Sequence, residues 1–159
     1  MNDNPHPQRP NSLRLPGFDY SSKATFFLTI CTKEKQPIFG DRSLRLYALQ
    51  LAKEVAVKLE MVLFSCCIMP DHVHVIIHNS GKSGYGIKEY IRRFKSFTYR
   101  YWRDQTGNSS SFWQRYYHDH IIRDDRDFDE KTQYVIMNPV EDGLTTIEGD
   151  PEFVYLNFK

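Results

Sequence analysis

Apolar and polar positions fall into two periodicities along the chain. Ala24 to Thr32 is rich in β-branched and aromatic residues, which predicts a strand. Met61 to Ile68 and His72 to His78 predict two more, joined through Met69-Pro70-Asp71 as a hairpin, and Tyr116 to Arg123 predicts a fourth. Between them the period lengthens. Asp41 is placed to cap a helix running to about Leu59, with Leu44, Tyr47, Ala48, Leu51 and Val55 at helical spacing. Ile87, Tyr90, Ile91, Phe94, Thr98 and Tyr101 mark one face of a longer helix, followed by a polar loop over Gln105 to Ser111. The acidic run Asp124 to Glu130 opens a third helix, since acids suit the positive end of the helix dipole. Pro139 disfavours helical geometry at Asn138, so that helix is expected to end near there.

The order β-α-β-β-α-β-α is met most economically by an α+β fold. A ferredoxin-like split βαβ arrangement places helices on one face of an antiparallel sheet and adds a C-terminal helix. Residues 1–16 carry four prolines and no periodicity, and read as an extended or disordered arm. Residues 17–144 read as one domain and 145–159 as a tail without a legible pattern.

Composition narrows the class. A chain of 159 residues with 40% hydrophobic and 14% aromatic content can fill the core of one domain and is not disordered as a whole. No apolar run is long enough to cross a bilayer, and the opening residues lack the apolar core of a secretory signal. Cys31, Cys66 and Cys67 form no CxxC and read as reduced thiols of the cytoplasm. The net charge of +1 conceals a basic centre and an acidic end. Residues 82–103 hold Lys82, Lys88, Arg92, Arg93, Lys95, Arg100 and Arg103 against Glu89 alone.

Four groups of residues could carry chemistry. His72-Val73-His74 lies on a predicted strand, where positions two apart share a face, so both imidazoles project together as two ligands of one metal must. The same pattern also fits two polar residues on a solvated hairpin face. Tyr134 and Asn138 are four apart before Pro139 and share a helical face, offering a nucleophile and an oxygen ligand. Alternatively, the ring packs on the sheet and the amide caps the helix. Lys88, Arg92, Arg93, Lys95 and Arg100, interleaved with aromatics, suit phosphates and unpaired bases, as does Arg115 further on. An amphipathic helix with buried rings and solvated charges has the same pattern. His118 and His120 repeat the i, i+2 spacing without a further ligand set nearby, which favours a structural role. Adjacent Cys66 and Cys67 read as core filler.

Together these blocks resemble a known family. Ile68-Met-Pro-Asp-His-Val-His-Val-Ile-Ile77 is similar to the HUH motif of single-tyrosine transposases. The stretches from Phe112 to Arg123 and from Tyr134 to Leu144 resemble that family's C-terminal signature. Leu15 to Tyr20 and Phe27 to Thr32 resemble the branch of REP-associated tyrosine transposases. The resemblance implies Tyr134 as nucleophile and His72, His74 and Asn138 as ligands of Mg or Mn. It implies cutting and rejoining of single-stranded DNA at hairpin-marked sites through a 5′-phosphotyrosine. Insertion-sequence members are often homodimers that exchange the tyrosine helix, while REP-associated members can be monomers. Glu141-Asp142 departs from the family, where a basic residue often follows Asn-Pro-Val. Two other readings stay open: a hairpin-binding protein without transposition activity, and a metal-dependent phosphodiesterase using water.

Overall fold

The computed structural model describes residues 23–157. The N-terminal arm and the Leu15 to Tyr20 block lie outside the described residues. Five strands form one sheet in the order β4-β1-β3-β2-β5, antiparallel throughout. They are β1 (Ala24–Cys31), β2 (Met61–Ile68), β3 (His72–Asn79), β4 (His118–Ile121) and β5 (Val154–Leu156). The helices are α1 (Arg42–Lys58), α2 (Ile87–Thr106) and α3 (Asp125–Glu141).

The strand period separates two cores. In β1 and β3, Phe26, Leu28, Ile30, Val73, Val75 and Ile77 point to one face and are fully buried under α1 and α2. Leu44, Ala48, Ala52 and Val55 of α1 and Ile87, Tyr90, Ile91 and Phe94 of α2 complete this core. The Tyr90 hydroxyl, in its midst, donates to the Ala52 carbonyl at 3.1 Å. The opposite face carries a smaller cluster of Cys67, Met69, Ile76, Val135 and Val154, where α3 packs. Thus α1 and α2 share one side and the Tyr134 helix takes the other. Cys66 and Cys67 are free thiols buried one in each core, as core filler should be.

Capping follows the sequence closely. The Asp41 carboxylate accepts from the Leu44 N–H at 2.8 Å, and Asp124 accepts from Asp127 N–H at 2.8 Å at the start of α3. Four boundaries differ from expectation. α2 runs to Thr106, into the expected loop, and stops at Gly107, whose φ of 72° suits a residue without a Cβ. β4 is shorter than Tyr116 to Arg123: the chain before it meets the end of β1 only at an isolated bridge between Thr32 and Trp113, whose indole N–H donates to Thr98 Oγ1 of α2 at 3.0 Å. α3 does not end at Asn138 but runs through Pro139 to Glu141. Both residues are buried there, and proline removes only one N–H from the last turn, so packing holds the helical geometry. Finally, residues 145–159, set apart by sequence as a tail, include β5 on the edge of β2. Arg45, almost buried, donates to the carbonyls of Glu152, Phe39 and Gly40 and fastens that segment to α1.

Candidate active site

The hairpin places His72 and His74 on the α3 side of the sheet, with ring centroids 4.7 Å apart. Each imidazole is oriented by a second residue. The Asp71 carboxylate accepts from His72 Nδ1 at 2.6 Å, and His74 Nδ1 hydrogen bonds with the Thr29 hydroxyl at 3.0 Å. Thr29 is the cross-strand partner of His74 in the β1/β3 register. Phe27, two residues earlier on the same face, stacks on the His74 ring at 5.2 Å.

α3 supplies the remaining groups. The Tyr134 ring stands 5.1 Å from His74 and 6.0 Å from Phe27, edge-on to both. It is 45% exposed, so the phenol is open to a macromolecular substrate. Asn138, one turn later, is buried with Oδ1 3.2 Å from His72 Nε2. The phenol, both imidazoles and the carboxamide therefore meet within one chain.

The donor set fits a divalent cation. His74 Nε2 is buried and has no hydrogen-bond partner among the described residues. Burial, then the neighbouring His72 ring, pushes the His74 pKa down to about 3, so the ring is neutral at neutral pH, and in the tautomer that donates from Nδ1 to Thr29 its Nε2 carries a lone pair. In a neutral His72, the bond from Nδ1 to Asp71 leaves the Nε2 lone pair facing the Asn138 oxygen. Lone pairs that converge without a shared proton suit a bound cation, and the outer bonds to Asp71 and Thr29 fix the ring orientations as in metal sites. Two imidazoles and a carboxamide oxygen suit Mn, and Mg when further oxygens complete the shell.

The other sequence candidates lie elsewhere. Lys88, Arg92, Arg93, Lys95 and Arg100 ride on α2, across the sheet from Tyr134. Arg92 and Arg93 both ion-pair with Glu89, while Lys95 donates to the carbonyls of Gln114 and Arg115. Lys88 and Arg100 are exposed, and Arg115 lies over the Tyr116 ring. His118 is exposed, and His120 Nε2 lies 2.7 Å and 2.9 Å from the two Asp127 oxygens, which ties β4 to α3. Thr29 and Phe27 escaped sequence reasoning because their place beside His74 follows only from the strand register. Asp71 was visible next to His72, but nothing in the sequence set its carboxylate against the ring.

A family model described as transposase IS200 like matches residues 20–138, which include all of these site residues. The chain belongs to the IS200-like transposase family. Among curated relatives of this transposase, one Haemophilus influenzae protein, uncharacterised, is 28% identical over 158 residues, covering 81% of this chain and 87% of its own. Another from that species, assigned as a REP-associated tyrosine transposase, is 28% identical over 92 residues, covering 53% of this chain and 52% of its own. The fold matches the structure of a REP-associated tyrosine transposase bound to a REP hairpin, with a TM-score of 0.68 at 18% identity. That match covers 89% of this chain and 81% of the other. A Deinococcus radiodurans protein assigned as a transposase matches with a TM-score of 0.54 at 16% identity, over 77% of this chain and 94% of the other.

Proposed function

We propose that this transposase cleaves and rejoins single-stranded DNA at hairpin-marked sites, with Tyr134 as the nucleophile. The observation that carries the reading is the half-exposed Tyr134 ring standing 5.1 Å from His74, whose buried Nε2 has no hydrogen-bond partner among the described residues. The Tyr134 oxygen attacks the scissile phosphorus, forming an Oη–P bond as the P–O3′ bond breaks. The phenol proton leaves to solvent and the departing 3′ oxygen takes one up. The DNA remains attached as a 5′-phosphotyrosine, and attack by another strand's 3′ hydroxyl reverses the step. Because the ester is conserved, no nucleotide cofactor is required.

His72, His74 and Asn138 would hold Mg or Mn, supplying Lewis-acid neutralisation of charge on the phosphate. Asp71 and Thr29 keep both imidazoles turned toward that position. Hairpin DNA as substrate is supported by the related structure bound to a REP hairpin. Lys88, Arg92, Arg93, Lys95, Arg100 and Arg115 are the side chains proposed to contact the DNA backbone. No helix among the described residues is long and apolar enough to cross a membrane.

The test is a labelled hairpin oligonucleotide incubated with the protein and Mn, then resolved on a denaturing gel. Wild-type chain is expected to give a covalent adduct, and Tyr134→Phe to bind the hairpin without one. An adduct that survives the substitution refutes the assignment. Cleavage without any adduct would favour a water-using phosphodiesterase, and binding without cleavage a hairpin-binding protein.

A further inference from the structure

α3 carries one polar stripe toward the sheet: Asp127, Lys131, Tyr134 and Asn138, at i, i+4, i+7 and i+11. Three of the four have a partner already described: Asp127 meets His120, Tyr134 meets His74, and Asn138 meets His72. Lys131 is the stripe's cation, one turn before the phenol. Its Nζ sits 5.5 Å from the centre of the Phe27 ring, the ring that also stacks on His74 and meets Tyr134 edge-on. Phe27 is thus a common floor for the ammonium, the imidazole and the phenol. Among the described residues, Lys131 Nζ makes no hydrogen bond and no ion pair; it lies over this ring and within the field of Asp127. A ring face locates a cation without neutralising it, leaving its three N–H donors available.

We propose that Lys131 is a catalytic residue whose ammonium contacts a non-bridging oxygen of the phosphate attacked by Tyr134. This rests on the strand-transfer reading above. Negative charge on the phosphoryl oxygens has to be stabilised as the in-line displacement proceeds, and a fixed donor aimed there stabilises the transition state most. Lys131 exchanges no proton and forms no covalent bond in this role. The two imidazoles are ligand lone pairs and contribute no charge when neutral. The ammonium therefore adds a positive charge from the α3 side, separate from whatever His72, His74 and Asn138 hold. Asp127, one turn earlier on α3, feels the Lys131 charge but turns its carboxylate to His120, and Asp71 turns its own to His72, so neither forms an ion pair with the ammonium.

The experiment is single-turnover adduct formation on a labelled hairpin oligonucleotide, with the rate followed across DNA concentration. Lys131→Gln is expected to lower the saturating rate by about 10- to 100-fold, within or below the range for one charge-stabilising donor. The half-saturating DNA concentration should stay within about threefold of wild type, as for an interaction made in the transition state. Lys131→Arg, which keeps the charge, should recover most of the rate. The proposal is overturned if Lys131→Gln reacts like wild type, if only half-saturation changes, or if the Arg variant is as slow as the Gln variant. A wild-type chain that yields no adduct overturns this proposal and the strand-transfer reading together. A wild-type adduct with an unimpaired Lys131→Gln overturns the lysine alone.

Discussion

Asp71 and Thr29 each make a single hydrogen bond to a ring nitrogen, and that bond decides which nitrogen of the imidazole is left to face the site. A carboxylate partner also raises the basicity of the ring it holds. Asp71→Asn keeps the shape but removes the charge. It is expected to weaken Mn binding by about 10- to 100-fold, the usual cost of an outer-shell partner, measurable by titration calorimetry. Unchanged affinity would mean that His72 is not a ligand. Asp71 lies next to His72 in sequence, so a supporting role could be guessed from its position. Thr29 lies 45 residues from His74, and no sequence spacing relates them.

At the scale of elements, α3 matters most because it brings Tyr134 to the hairpin. Its C-terminal end is held by buried Asn138 and Pro139, and its N-terminal end by the contact of Asp127 with His120 on β4. Burial alone would raise the Asp127 carboxyl. The hydrogen bonds from His120 and the Arg123 N–H, helped by the charges of His120 and Lys131, outweigh burial and hold it below the ordinary carboxylate range. The unfolded chain therefore binds more protons in the acid range. The stabilisation from this carboxylate is complete above the usual aspartate value of ~4 and is lost as pH falls through the lower folded value. Asp127→Asn should lower Tm at neutral pH and flatten its decline on acidification, as followed by circular dichroism. An acid limb as steep as that of wild type would show that Asp127 does not contribute. The helix boundaries of α1 were legible because Asp41 is a strong cap, whereas the extension of α3 past Asn138 was not, because local proline preference yielded to packing.

Across the whole molecule, the sheet separates two surfaces. The hairpin side holds Tyr134 with His72, His74 and Asn138. The far side holds a groove of about 430 Å³ between α1 and α2, lined by Lys58, Arg92, Arg93 and Arg100 over Tyr47 and Phe97. If the α2 cations contact DNA as proposed, binding and chemistry are separable. Arg100→Gln is expected to weaken hairpin binding and reduce the salt dependence by about one phosphate contact, a log–log slope change of ~0.9 on duplex. The adduct-forming rate at saturating DNA should not change. A loss of rate with unaltered affinity would contradict this division of labour.

The linear chain determined the parts and their types. Strand and helix periods were readable because burial on one face forces period 2 or 3.6 on the side chains. The His72-Val73-His74 and Tyr134 to Pro139 blocks were readable because neighbours within an element share faces by local geometry alone. Tertiary structure decided which face each element turns to which partner. It placed Tyr134 within 5.1 Å of His74, sixty positions earlier, set Lys131 over Phe27, and recruited β5 to the edge of β2. These depend on strand register and on helix packing across the sheet, which are summed over many distant contacts and leave no periodic trace in the residues that meet.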